Sequence, residues 1–185
     1  PTTPNAYQTS LTGTQGAVVC KFNHNLSNLI WSTYLSGLGT SAVAGYSLSL
    51  GENYSVYITG GTTSPNLTPI TSGVQPTFGG GSADGYIAHF SNDVTTLLGF
   101  TYFGSSEYDQ SYLIKTDKFH HPHIVGQTNA PANTFVENAI WHYGAGQFIT
   151  KFTPELDSII WSTEFGNLTT GADISPTALL VDVCN

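Results

Sequence analysis

Trp31-Ser32-Thr33-Tyr34-Leu35 returns as Gly99-Phe100-Thr101-Tyr102-Phe103 and again as Trp161-Ser162-Thr163-Glu164-Phe165. Ahead of each copy stands a basic residue followed by phenylalanine: Lys21-Phe22, His89-Phe90 and Lys151-Phe152. The interval from that phenylalanine to the threonine is 11 residues in all three copies (Phe22 to Thr33, Phe90 to Thr101, Phe152 to Thr163). Self-similarity at a fixed period is the signature of a repeat architecture, in which one unit covers its apolar face with the next. Phe22, Trp31, Thr33, Phe90, Thr101, Phe152, Trp161 and Thr163 are therefore the structural repeat positions.

Outward from these hairpins, short apolar runs alternate with turn residues, as in antiparallel β structure. The first repeat reads as strands over residues 17–22, 29–35, 42–50 and 55–60. The second reads as 85–90, 97–103, 110–116 and 123–126, and the third as 146–152, 159–165 and 178–183. The segments between repeats are long and rich in Gly, Thr, Ser and Pro, with no helical periodicity. The repeats span residues 1–64, 65–131 and 132–185, the last ending before its fourth strand. The first strands share a pattern: Val18, Cys20, Phe22, then Tyr86, Ala88, Phe90, then Phe148, Thr150, Phe152. Large, small, large at period two predicts a packing environment that recurs. The opposite face pairs an apolar residue with a basic one: Val19 and Lys21, Ile87 and His89, Ile149 and Lys151. The lysines are expected to lay their stems over apolar surface.

A four-stranded antiparallel unit repeated along a chain is the mark of a β-propeller blade. The expected fold is all-β, a partial β-propeller of about two and two-thirds blades, where a closed ring takes at least four. The remaining blades are expected from a longer chain or from another protein subunit. The lack of any methionine fits a processed chain or an excerpt.

With 12% aromatic and only 9% charged residues the chain is unlike a disordered one. Its net charge of −8, with four lysines and no arginine, argues against nucleic acid. No apolar run approaches the length of a membrane span, so direct membrane insertion is not expected. Two cysteines make no disulfide framework. Cys20 is expected to be a buried thiol in a small-residue slot, about two blades from Cys184 and unbridged to it.

Residues 21–37, 56–64 and 75–90 resemble the SBBP repeat, a bacterial β-propeller repeat. Residues 108–112, 146–149 and 173–182 are similar to a subgroup of large surface proteins from gliding, type IX-secreting Gram-negative bacteria. Those proteins commonly carry a gliding-motility-associated C-terminal domain. The resemblance covers essentially the whole chain and implies a propeller on a secreted or extracellular cell-surface protein. Gly99 departs from it where the other copies have Trp, as do the turns at Leu50-Gly51-Glu52-Asn53 and Lys118-Phe119-His120-His121. The family implies no established activity.

His120-His121-Pro122-His123 has metal-ligating residue types, but with only Asp117 nearby it reads as a solvated turn, not a metal site. Glu107, Asp109, Asp84 and Asp93 are the nearest acidic grouping. Paired carboxylates serve glycosidases and calcium takes oxygen ligands; here turn acids are the simpler account. Gly79-Gly80-Gly81-Ser82 lacks the lysine and helix of a phosphate-binding loop. No catalytic residue set assembles, and neither a metal nor another cofactor is implied. Asn25-Leu26-Ser27, Asn53-Tyr54-Ser55, Asn66-Leu67-Thr68 and Asn167-Leu168-Thr169 match the N-glycosylation sequon and read as chance matches in a bacterial chain. Asp157-Ser158-Ile159 is similar to the O-glycosylation motif of the same bacterial group, with Ser158 as acceptor.

The expected function is a non-catalytic interaction or scaffold module, linked to adhesion or gliding-type surface machinery, with surface glycan as one candidate partner. Tyr7, Phe78, Phe135 and Trp141 are loop aromatics that could contact glycan or protein, with Phe78 and Trp141 as readily placed to plug the blade edge. The alternatives are a propeller-fold carbohydrate-active enzyme and a structural subunit completed by another chain.

Overall fold

The computed structural model describes residues 2–67, 72–167 and 174–182. Apart from one 3-10 turn at Glu52–Tyr54, its regular structure is entirely β. Strands β1 (Ala17–Phe22) and β2 (Leu29–Leu35) form a two-stranded sheet. Strands β3 (Val43–Leu50), β4 (Val56–Thr62), β5 (Asp84–Phe90) and β6 (Leu97–Phe103) form a second sheet in that order. Strands β7 (Asp109–Thr116), β8 (Pro122–Thr128), β9 (Gln147–Phe152) and β10 (Ile159–Phe165) form the third. All pairings between these strands are antiparallel.

Ten strands fall where the sequence pattern puts them, within two residues at each end. How they are grouped differs. A meander of four strands within each repeat is not what forms. Each four-stranded sheet takes its first two strands from one repeat and its last two from the next. The repeat boundaries at 64/65 and 131/132 fall in the loops joining β4 to β5 and β8 to β9. The cause lies in β4, whose seven residues are all buried. A strand enclosed on both faces also needs a hydrogen-bonding partner on each edge. β3 supplies one edge and β5 the other, with Ile58 opposite both Leu48 and Ala88. The strand expected at 178–183 is not one: residues 178–182 carry no regular structure, and residue 183 lies outside the described residues.

The three sheets stack, and the middle one serves two cores. Tyr86, Ala88 and Phe90 of β5, with Ile58, Phe100 and Tyr102, meet Ala17, Val19 and Leu35 of the first sheet. Ile87 and Tyr57, whose side chains leave by the opposite face, join Ile114, Ile124, Phe148, Phe152 and Leu156 of the third sheet. Alternation at period two thus feeds both interfaces from one strand. β3 and β7 run side by side where the second and third sheets meet. There the Ser49 and Thr116 hydroxyls lie 3.0 Å apart and the Ile114 amide donates to Ser47 Oγ.

Candidate interaction face

The threonine of the repeated motif fastens the incoming loop to the edge of its sheet. Thr33 Oγ1 accepts from the Gln8 amide at 3.0 Å, and Thr101 Oγ1 accepts from the Gln75 amide at 2.9 Å. In return the Tyr34 and Tyr102 amides donate to the Gln8 and Gln75 carbonyls, both at 3.0 Å. The two glutamine side chains finish the clasp, their Oε1 atoms accepting from the amides of Ser36 and Gly104. In the third repeat the clasp is altered. Glu137 exchanges backbone bonds with Ser162, and Thr163 Oγ1 donates to the Trp141 carbonyl. Glu164 takes the place of Tyr34 and Tyr102, and its buried carboxylate accepts from the amides of Asn133 and Phe135, each at 2.7 Å.

The same loops tie each sheet to the next. The Tyr7 amide donates to the Val94 carbonyl, and the Val74 amide to the Leu156 carbonyl, both at 2.9 Å. Val94 and Leu156 sit in the turns after Phe90 and Phe152, both at positive φ, and both are fully buried. Leu26 is their counterpart after Phe22, with φ of 60°, yet it is 75% exposed.

That contrast extends across a whole face. Tyr86, Ala88 and Phe90 are buried against the first sheet, and Phe148, Thr150 and Phe152 are buried in the same way against the second. Val18 and Phe22, at the corresponding positions of the first sheet, are 57% and 46% exposed. Cys20 between them is also exposed, and it is a free thiol. The buried thiol expected there is overturned, because among the described residues no sheet covers the first sheet's outer face. Cys184 lies outside the described residues. Phe22 thus occupies a repeat position without the burial its two counterparts have, and the free edge of β1 has no strand beside it among the described residues.

Most of the acids have structural partners. Asp84 is fully buried at the head of β5, where its Oδ2 accepts from the Gly79 amide at 2.6 Å. Burial pushes its carboxyl up, the Gly79 amide opposes this and nearby Asp109 adds to it, leaving it at about 7. Asp109 is buried as well and accepts from the amide and hydroxyl of Ser105. One oxygen of each of these two carboxylates has no hydrogen-bond partner. Asp93 holds the turn at Ser91 and Thr95, and exposed Glu107 donates its amide to Ser105 Oγ.

The histidine cluster is less solvated than its turn position implies. Asp117, the neighbour beside it, accepts from Lys151 Nζ at 2.8 Å and from the amides of Phe119 and His121. Burial raises the Asp117 carboxyl, but Lys151 and those two amides outweigh it and hold it at about 2. The Lys151 head therefore ends on a carboxylate, while Lys21 at the same repeat position is exposed. His121 Nδ1 lies 3.3 Å from Asp117 Oδ2, and His123 is buried edge-on to Trp161. Among the described residues, no three His, Cys, Asp or Glu side chains converge as a metal site. His89, the counterpart of Lys151, stacks on Tyr57 with ring centroids 3.9 Å apart, and burial pushes its imidazole down to about 4.

Trp141 and Tyr143 are 61% and 64% exposed, and Trp141 shares an apolar hollow with Ile140 and Trp161. Phe78 and Phe135 instead pack inward, against Tyr102 and Phe103, and Tyr7 packs edge-on to Phe90. Ser158 is exposed in the turn between β9 and β10, where its amide donates to Thr153 Oγ1. Asn25 is exposed, but its Oδ1 accepts from Ser27 within its own sequon. The sequons at Asn66 and Asn167 run partly outside the described residues.

Gln8, Gln75, Glu164 and the Asp117–Lys151 pair are the contributors that sequence reasoning missed. Gln8 and Gln75 were detectable, since each precedes its repeat threonine at nearly the same distance. No protein-family model matches the chain, and a search of curated proteins finds no match.

Proposed function

We propose that this chain is a non-catalytic interaction and scaffold module, a section of a propeller of the SBBP-repeat kind on a secreted or cell-surface bacterial protein. The observation that carries the reading is one sheet-to-sheet interface built twice from the same repeat positions, Tyr86/Phe90/Val94 and Phe148/Phe152/Leu156. Recurrent packing of this sort is how radial repeat folds grow. The side-by-side course of β3 and β7 supports a wedge-like arrangement of sheets about an axis. Asp84, Asp109, Asp117 and Glu164 hold loops and turns in place, an occupation that suits a scaffold better than a carbohydrate-active enzyme. The exposed aromatics Trp141 and Tyr143 offer a surface for a partner such as a glycan. Ser158 is the candidate for O-linked modification.

Co-purification from a bacterial surface fraction together with a glycan array tests this reading. Retention of a partner protein or a glycan is expected, and it should weaken in Trp141→Ala. If both assays are empty, the interaction role falls. A second reading is a structural subunit completed by another chain, and the uncovered face and edge of the first sheet favour it.

A further inference from the structure

We infer that the open edge of β1 is a docking site for one β-hairpin of this chain's own repeat type. The hairpin would lie outside residues 1–185 and would complete the first sheet as β3–β4 and β7–β8 complete the other two. The inference rests on the scaffold reading for its biological sense, and on the internal repeat alone for its geometry.

The counterparts of β1 show what is missing. β5 is bonded on one side to β6 and on the other to β4, and β9 likewise to β10 and β8. β1 has the first kind of partner, β2, and not the second. An unpaired strand edge is a template for strand addition. The loops agree. Residues 63–83 and 129–146 lead from the hairpin of one repeat into β5 and β9. Residues 2–16 lead into β1, with Gln8 clasped as Gln75 is and Tyr7 bonded as Val74 is.

The register specifies the occupant. In both complete sheets the strand beside the β1 counterpart carries isoleucine opposite the Cys20 position: Ile58 faces Ala88 and Ile124 faces Thr150. A β-branched residue follows, Thr59 opposite Ile87 and Val125 opposite Ile149. Glycine comes next, Gly60 opposite Tyr86 and Gly126 opposite Phe148. That glycine is required. A Cβ on Gly126 would lie 2.1 Å from the Gln110 carbonyl oxygen and 2.3 Å from the Phe148 ring, and on Gly60 it would lie 1.7 Å from the Ala44 oxygen. The docking strand therefore reads isoleucine, β-branched residue, glycine, and it runs antiparallel to β1. A second copy of this chain makes a poorer occupant, because its own two hairpins are already paired within complete sheets.

The test uses residues 1–185 carrying an extra copy of residues 109–131 ahead of the first residue. The reference is the same chain carrying a scrambled version of that segment. The expected result is at least a tenfold slower hydrogen exchange of the outward-facing β1 amides, with the second and third sheets unchanged. Equal exchange rates of the β1 amides in the two proteins would overturn the inference. So would concentration-dependent self-association of the unextended chain that protects the β1 amides, since the occupant would then be a second copy. Loss of partner retention or glycan binding leaves the exchange result untouched, so failure of the scaffold reading is distinguishable from failure of this one.

Discussion

Leu26 and Leu156 hold the same place in their repeats and nearly the same backbone conformation, with φ of 60° and 65°. One is 75% exposed and the other fully buried. Alanine at each site therefore isolates the value of the sheet-to-sheet contact, because the left-handed backbone contributes equally to both. Leu156 packs among Tyr57, Ile87 and Phe152, and truncating a leucine so placed costs about 2–5 kcal/mol. At Leu26 the change removes a side chain that faces water, and its effect should stay within about 0.5 kcal/mol. With a slope of about 2 kcal/mol/M, urea unfolding of Leu156→Ala should shift its midpoint down by about 1–2.5 M. Leu26→Ala should leave the midpoint nearly in place. Equal losses at the two sites would mean that Leu26 is already covered, and the account of the open face would be wrong.

Thr101→Val strips the Gln75 amide of its acceptor inside a buried clasp and should cost about 1–3 kcal/mol, while Thr101→Ser recovers most of it in the same unfolding assay. Lys151→Met removes the cation from a nearly buried Asp117 and should cost about 1.5–3 kcal/mol; NMR titration should show the Asp117 carboxyl rising from about 2. Asp117 and His89 both act on the acid side. Asp117 stabilises the fold above its unfolded value of 3.8, and that contribution is lost as pH falls towards 2. His89, depressed to about 4, favours the fold at neutral pH and ceases to as pH falls from 6.5 through 4. Asp84 acts in the opposite direction: titrating at about 7 when folded against 3.8 unfolded, it lowers stability as pH rises through that window. Because His89 gains stability over the same range, thermal melts at pH 5 and pH 8 should show the two groups opposing each other, with Asp84→Asn becoming more stable relative to the unchanged chain as pH rises.

Strand positions were legible because their signals are local. The period-two pattern of Tyr86, Ala88 and Phe90 and the fixed spacing from Phe90 to Thr101 mark both the strands and the hairpin between them. Which strands share a sheet was harder to read, because the joining loop says nothing about it. The short link from Leu35 to Val43 crosses between sheets, whereas the long one from Thr62 to Asp84 returns to the same sheet. The unbroken burial of Val56-Tyr57-Ile58-Thr59 carried the clue, since a strand with no polar face is a central strand. Ala178-Leu179-Leu180-Val181 has strand-forming residues but pairs with no strand among the described residues, and composition alone does not make a strand. Cys20 was misread for a related reason: its slot predicts burial only where a neighbouring sheet exists. The Asp117–Lys151 pair joins two segments remote in sequence, so spacing could not expose it.

The interlocking of successive repeats within one sheet underlies everything else, and NMR reads it directly. The account predicts cross-strand NOEs linking residues 56–62 to 84–90 and residues 123–127 to 147–151. NOEs that instead paired residues 29–35 with 43–50, closing each repeat upon itself, would contradict it.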